Sequence, residues 1–361
     1  MKKFILGVHE KVLRFTENSK NRVVYNNHER LRTLKCKIDT CNQKEWEELK
    51  KLFNPYELIY TSSKHGNNIC KINPVSRSYF KLHEMINIYE LLQDNIYCSC
   101  LAEGPGGFIN CLNNQKYNIQ KVYGITLISE DKSIPYWNQG ILNNKMNRII
   151  FGKDNTGNLY DYKNVEQFIT TVGDNKCHLV TADGGFDYSN DYNLQENNSY
   201  HLIYCEIYVS LNVQAINGNF IIKIFDLFNY KTIQLVYLLY NCYNTVEIYK
   251  PLTSRLSNSE KYIVCLGYNG CSKNSLNILK KYYERSRELS IDVPDSFLYE
   301  INKYNDLYVT SQINKIEEIL NKIGKKDDIN YEKIVNQQKK NAIEWCKKHN
   351  LPINYNCSYL K

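Results

Sequence analysis

Four ionisable residues stand in settings where chemistry is conceivable: Lys81, Asp183, Lys223 and Glu260. Lys223 lies inside the apolar run Asn219-Phe220-Ile221-Ile222-Lys223-Ile224-Phe225, which reads as a strand. A lysine in a central strand is costly to bury alone, so it either emerges at a strand end or meets a carboxylate. Asp183 ends the run Cys177–Ala182 and opens Asp183-Gly184-Gly185-Phe186-Asp187. Glu260 closes a polar loop beginning at Lys250, just before another apolar strand, and Lys81 lies in an early helix. An ammonium beside an oxygen stabilises negative charge developing there, and a neutral lysine can accept a proton. Each residue alone is more often structural than catalytic. Four of them at element ends around one crevice read as a site.

A glycine-rich turn, Ala102-Glu103-Gly104-Pro105-Gly106-Gly107-Phe108, follows a predicted strand and precedes a predicted helix. Glycines allow positive φ and close backbone approach to a ligand, which suits a nucleotide-like cofactor. The dinucleotide fingerprint would need a third glycine where Ile109 stands. That disfavours a pyrophosphate-binding turn and a dinucleotide oxidoreductase.

The elements that must position these residues are legible as alternation. Ser76–Leu92 has helical spacing in Tyr79, Leu82, Met85, Ile86 and Tyr89. Strand-like runs follow at Ile96–Ala102, Lys121–Leu127, Asn147–Phe151, Cys177–Ala182, Gly218–Phe225, Asn244–Tyr249 and Lys261–Gly267. Helical stretches include Asn193–Ile216 and Tyr230–Tyr240. Alternation of this kind predicts an α/β fold with a doubly wound, mostly parallel sheet. Such sheets take ligands at the carboxyl ends of their strands, where strand order reverses. Residues 76–270 form this region. Residues 1–75 read as an N-terminal extension with one helix near Gln43–Phe53, and residues 271–361 as a helical, lysine-rich C-terminal extension.

Composition is permissive rather than decisive. The 361 residues suit one large domain with extensions, or two domains. A net charge of +8 is compatible with a phosphate-bearing partner. Thirteen cysteines suggest reduced thiols: Cys98 and Cys100 alternate within a strand, and Cys36 and Cys41 lack a second pair to complete a metal site. The apolar run within Met1–Val12 is short for a signal peptide, and no stretch approaches the roughly 20 apolar residues that span a bilayer. The expectation is an intracellular protein, cytoplasmic (in a viral factory or virion if of viral origin) or nuclear with the cytoplasm favoured, with no membrane contact and no metal. Basic residues at 280, 281, 285, 287, 322, 325, 326, 339 and 340 either guide a nucleic-acid backbone or cover a solvated helix face.

Taken in order, these motifs resemble the FtsJ/RrmJ-like RNA ribose 2′-O-methyltransferases, over roughly Ser76 to Gly267. Ser76-Arg77-Ser78-Tyr79-Phe80-Lys81-Leu82-His83-Glu84 looks like the helix carrying the family's first lysine. Glu103–Phe108 looks like the cofactor loop. Ala182–Phe186 looks like the aspartate motif. Lys223 and the Glu260 of Ser254-Arg255-x-x-x-Ser259-Glu260-x-Tyr262 complete the set. The loop form and the double glycine resemble the cap-specific mRNA branch of eukaryotes and large DNA viruses.

The resemblance implies a Rossmann-like methyltransferase fold: a seven-stranded sheet with one antiparallel strand near its end and helices on both faces. It implies S-adenosyl-L-methionine as cofactor, held by Glu103, Gly104, Pro105, Gly106, Gly107, Phe108, Thr126, Asn158 and Asp183. Asn158 stands where relatives often carry an acidic residue. It implies a catalytic tetrad of Lys81, Asp183, Lys223 and Glu260 acting on the ribose 2′-hydroxyl of the first nucleotides of capped mRNA. Lys223 would accept the proton or position the hydroxyl. Two carboxylates raise its pKa and a neighbouring lysine lowers it, so the sign of the balance is left to geometry. Arg77, Lys250, Ser254 and Arg255 are candidate RNA contacts, and partners in the capping or transcription machinery are implied. A ribosomal or transfer RNA substrate is the competing reading within the family. A non-catalytic RNA-binding subunit is the alternative from another class.

Overall fold

The computed structural model describes residues 3–7, 9–16, 25, 28–62, 65–185 and 191–361. Met1, Phe186, Asp187 and the side chain of Lys326 lie outside the described residues.

The chain runs β1 (Phe4–Ile5), α1 (Glu29–Thr40), α2 (Gln43–Leu52), α3 (Ser78–Tyr89), β2 (Ile96–Leu101), α4 (Gly107–Asn113), β3 (Ile119–Ile125), α5 (Gln139–Asn143) and β4 (Asn147–Ile149). It continues α6 (Tyr162–Val172), β5 (Cys177–Ala182), α7 (Gln195–Val213), β6 (Gln214–Ile224), α8 (Tyr230–Cys242), β7 (Tyr243–Tyr249) and β8 (Lys261–Tyr268). Three helices close it: α9 (Lys273–Glu284), α10 (Asp295–Leu320) and α11 (Tyr331–Lys348). Helix starts follow cap chemistry, in which a short polar side chain takes up a free amide of the first turn. Asn42, Asp161, Ser272 and Asn330 do this for α2, α6, α9 and α11.

The strand order is β1-β7-β8-β6-β5-β2-β3-β4. From β6 to β4 every pairing is parallel, and β8 lies antiparallel between β6 and β7. The expected Rossmann-like α/β sheet with one reversed strand is present. It has eight strands rather than seven, because Phe4–Ile5 pairs with Ile248 and Glu247 at the β7 edge. A two-residue strand whose partner lies over 200 residues away leaves no local signal. The strand predicted at Gly218 begins earlier, at Gln214, and the helix before it ends at Val213 rather than Ile216. A break in register opposite Cys177–Leu179 and a positive φ at Asn217 disguise that start.

Alternation along the strands sorts side chains onto two buried faces. Phe220, Ile222 and Ile224 pack with α7 and α8 residues, whereas Ile221 packs with Tyr79, Leu82 and Phe108 from α3 and α4. Lys223 shares the parity of Ile221 and so belongs to the α3 face. The two extensions meet each other. Leu31, Leu34, Ile38, Trp46 and Leu49 of α1 and α2 form one apolar cluster with Val309, Ile313, Ile316 and Ile319 of α10.

Helix α11 is docked by a buried carboxylate. Glu84 accepts hydrogen bonds from the Tyr249 hydroxyl (2.5 Å), the Leu252 amide (2.8 Å) and Trp345 Nε1 (3.1 Å). Glu84→Ala leaves these buried donors without acceptors. It is expected to cost about 3 kcal/mol or more, read as a lower urea midpoint with an unchanged m-value.

Candidate active site

The sheet topology explains why residues far apart in sequence converge. Strand order reverses between β2 and β5, and the carboxyl ends of β2, β3 and β5 present Glu103, Thr126 and Asp183 at one crevice. Because β8 is antiparallel, its first residues share that edge. Ile224 pairs with Lys261, and Lys223 with Tyr262. Glu260 is thereby set beside the end of β6, and α3 lays Lys81 over the same spot.

The four residues form an alternating chain of charge. Lys81 Nζ donates to Glu260 Oε2 at 2.7 Å. Lys223 Nζ donates to the Asp183 carbonyl at 2.7 Å and lies 3.3 Å from Asp183 Oδ1. The Tyr262 hydroxyl donates to the same Oδ1 at 2.7 Å. Burial pushes the Glu260 carboxyl up, but Lys81 and Lys223 outweigh it and hold it down to about 2. Burial pulls the Lys223 ammonium down, yet Asp183, Glu260 and Glu206 together reverse that, so its pKa lies above the ordinary value. These carboxyl neighbours favour the ammonium form of Lys223.

Asp183, Lys223 and Glu260 line a cleft of about 780 Å³, and Lys81 stands behind Glu260. The volume is in the range of cofactor sites. Of the residues assigned to the cofactor, Glu103, Gly104, Thr126, Asn158 and Asp183 line it. Pro105, Gly106, Gly107 and Phe108 do not. Gly106 has φ 109° and starts α4, and a Cβ on Gly107 would lie 2.1 Å from the hydroxyls of both Ser76 and Ser78. Phe108 is fully buried. These residues bend the chain behind the wall. Glu103 spends its oxygens on α4, accepting from the Phe108 amide (2.7 Å) and the Ile109 amide (3.3 Å). Burial pushes its carboxyl up to about 8 despite those amides. Thr126 Oγ1 accepts from the Gly104 amide (3.0 Å), and Asn158 Oδ1 accepts from the Tyr160 amide (2.9 Å).

The residues expected to touch RNA sit deeper than their types suggest. Lys250 is 3% exposed and donates to the Glu260 carbonyl (2.6 Å) and to Asn258 Oδ1 (2.7 Å). Ser254 is 2% exposed and its hydroxyl donates to Glu260 Oε1 (2.8 Å). Both support Glu260 from behind and present no surface to a nucleic acid. A lysine and a serine in a polar loop read as exposed because their partners, all within ten residues, bury them only once the loop folds. Arg77 and Arg255 converge on the buried Glu57, at 3.1 Å and 2.6 Å. They fasten the N-terminal extension to the loop carrying Glu260.

Four contributors escaped the motif reading: Tyr262 as an Asp183 donor, Glu57 as the arginine anchor, Lys50 of α2 on the cleft wall, and Glu206 of α7 beside the Asp183 turn. Their signals are tertiary. Only Tyr262 stood in a quoted motif, where its contact with Asp183 was not read.

A Rossmann-like sheet with this quartet at its carboxyl edge, where strand order reverses, presents a ligand crevice of the kind such sheets form. Comparison with known families gives the class: residues 74–268 match the model described as FtsJ-like methyltransferase. The chain belongs to the FtsJ-like methyltransferase family. It is 29% identical over 316 residues to cap-specific mRNA (nucleoside-2′-O-)-methyltransferase 1 of Mus musculus, covering 77% of this chain and 36% of that protein. It is 32% identical over 242 residues to methyltransferase 1A of the same description from Caenorhabditis briggsae, covering 64% and 26%. The chain spans about a third of the length of these curated relatives. Among solved structures, a ribosomal RNA methyltransferase from Plasmodium falciparum overlaps 54% of this chain and 99% of its own at 22% identity, with a TM-score of 0.37, too low to bear on substrate.

The charge chain carries a pH consequence. Glu260 has a folded pKa below its ordinary 4.5, so the stability it contributes is present above about 4.5 and lost as pH falls towards about 2. Glu260→Gln is expected to flatten the pH dependence of the urea midpoint in that window and to lower the midpoint at pH 7. Parallel curves for the two proteins would contradict this pairing.

Proposed function

We propose that this chain transfers a methyl group from S-adenosyl-L-methionine to the ribose 2′-hydroxyl of the first transcribed nucleotide or nucleotides of capped mRNA, converting cap 0 to cap 1. The observation that carries the reading is the Lys223 ammonium at the cleft floor. Asp183 holds it directly, and the charge of Glu260, itself paired with Lys81, acts on it from nearby.

The cleft fits the cofactor by its chemistry. Asp183 and the Glu103 backbone turn offer an electronegative wall to a sulfonium, and Leu127, Ile134, Pro135 and Leu159 offer an apolar wall to a base. Glu103, Gly104, Thr126, Asn158 and Asp183 would hold it. When bound, S-adenosyl-L-methionine supplies a methyl group already activated on sulfur.

What is left to this chain's own residues is to align a hydroxyl and to hold the negative charge that grows on it. Alignment supplies a large part of such a barrier reduction. An ammonium cannot take a proton at rest, so Lys223 serves as the positioning and charge-stabilising group, and the hydroxyl's proton is released to water as the oxygen–methyl bond forms. Asp183 fixes the direction of its N–H bonds, with Tyr262 fixing Asp183 in turn. Lys81 and Glu260 complete the charge balance without touching the hydroxyl. Lys50 of α2 lines the same cleft and forms an ion pair with Glu47. A phosphate flanking the reactive ribose is a stronger competitor for that ammonium. No described helix is long and apolar enough to cross a membrane.

The 29–32% identities to proteins described as cap-specific mRNA 2′-O-methyltransferases support the capped substrate. Lys223→Ala and Asp183→Ala are each expected to reduce methyl transfer by at least about a hundredfold, the scale for removing one charge-stabilising donor. Each variant leaves a buried partner unpaired and is expected to melt below the parent, so activity is compared at a temperature where both variants remain folded. Substrate is read by incubating the protein with labelled cofactor and capped or uncapped copies of one RNA, then mapping the methylated nucleotide. Label at the cap-proximal ribose of capped RNA alone is expected. Label at an internal site of uncapped RNA would overturn the cap assignment, and full activity in both variants would overturn the tetrad.

A further inference from the structure

Glu206 of α7 has no counterpart among the four motifs, yet it touches their turn. It is 1% exposed, and its Oε1 accepts the Gly184 amide at 3.2 Å, one residue after Asp183. A Cβ at Gly184 would lie 2.3 Å from that oxygen, 2.8 Å from Leu202 Cδ2 and 2.9 Å from Ala102 Cβ. A Cβ at Gly185 would lie 3.1 Å from Lys223 Nζ. The double glycine therefore lets one turn close against Glu206 at its first residue and against Lys223 at its second.

Building on the methyl-transfer reading, we propose that Glu206 is a positioning residue: it pins the Asp183–Gly185 turn through the Gly184 amide and sets a third carboxyl whose charge biases the Lys223 amine. The described groups acting on Lys223 are Asp183 from the end of β5, Glu260 from the start of β8 and Glu206 from α7. Lys223 in turn acts on Glu103 at the end of β2. Those acting on Glu206 are Lys223 and Asp183, and its helix neighbour Cys205 feels its charge. Burial pushes Glu206 up to about 8, against the pull of Lys223 and the Gly184 amide. Its ionisation thus falls where RNA chemistry is run. Once ionised it favours the ammonium form of Lys223. The sign for stability is opposite to that of Glu260. A carboxyl raised from 4.5 contributes stability that is present below 4.5 and lost as pH rises through about 8. Glu206→Gln, which keeps an acceptor for Gly184, is therefore expected to be at least as stable as the parent on the alkaline side.

The test reads the amine itself, without cofactor. The full-length chain and Glu206→Gln are acylated with an amine-reactive ester across neutral and alkaline pH, and the Lys223 peptide is followed by mass spectrometry. The parent should show a break near pH 8, above which Lys223 reacts more slowly than an extrapolation from lower pH. In Glu206→Gln the break should vanish, with Lys223 several-fold more reactive above it, and the pH profile of methyl transfer should lose the same break. Superimposable Lys223 curves would overturn the proposal. Glu206→Asp covers the case in which Glu206→Gln does not fold. It keeps the charge and shortens the reach to Gly184, so the break should remain while kcat falls several-fold with little change in KM. Unchanged kcat would also overturn the proposal. If the parent methylates no RNA, the methyl-transfer reading fails, and the acylation curves still decide whether Glu206 acts on Lys223.

Discussion

A lysine in an inner strand of a buried sheet must be compensated, and the structure around the cleft is organised by that requirement. Lys223 lies between β5 and β8, shares the face of Ile221, and is only 13% exposed at its side chain. Left alone, its ammonium would lose its proton or unfold the strand. Asp183 and Glu260 offset the penalty, Glu206 adds to them once ionised, and each comes from a different element. The cost of burying Lys223 thus becomes a fixed positive charge at the floor of a cleft, pointed at a place a ligand can reach.

Three features of the fold serve that arrangement. The antiparallel β8 brings the start of a strand to the edge where every other inner strand ends, and this puts Glu260 opposite Lys223. The loop before it is not a surface loop in the usual sense. Lys250 and Ser254 lie beneath Glu260, and Arg255 joins Arg77 on Glu57. The extensions close the assembly from outside. Helices α1 and α2 pack on α10, Lys35 of α1 pairs with the buried Asp226 after β6 at 2.7 Å, and α11 is tied to α3 through Glu84. Lys50 of α2 consequently faces the cleft, so the N-terminal region forms part of its wall.

Much of this was visible in the residues alone. Seven strands followed from apolar runs and the doubly wound sheet from their alternation with helices, while the reversed strand was implied by the family resemblance; β5 was predicted to its first and last residue. Lys223 stood out as an ionisable residue inside an apolar run, and Asp183 and Glu260 as ionisable residues at the borders of such runs, whereas Lys81 and the grouping of all four were read through the family resemblance. What escaped did so for physical reasons. Strand β1 has two residues and a remote partner. The turn 104–108 reads as a cofactor contact, yet four of its five residues shape the wall from behind, because sequence shows glycines without showing which atoms crowd them. Lys250 and Ser254 read as exposed since hydrophilic type predicts exposure only on average. Glu206 sits mid-helix among apolar residues, where nothing local separates a functional carboxylate from an unusual core residue.

Methyl transfer turns on where a ribose lies relative to one amine. The most direct measurement is a crystal structure of the protein with a non-reactive cofactor analogue and a short capped RNA. The 2′-oxygen of the cap-proximal ribose should lie within about 3 Å of Lys223 Nζ, with the lysine still held by Asp183. A bound RNA whose 2′-oxygens all lie away from Lys223, with the cleft floor empty, would contradict the assignment of this amine to the reacting hydroxyl.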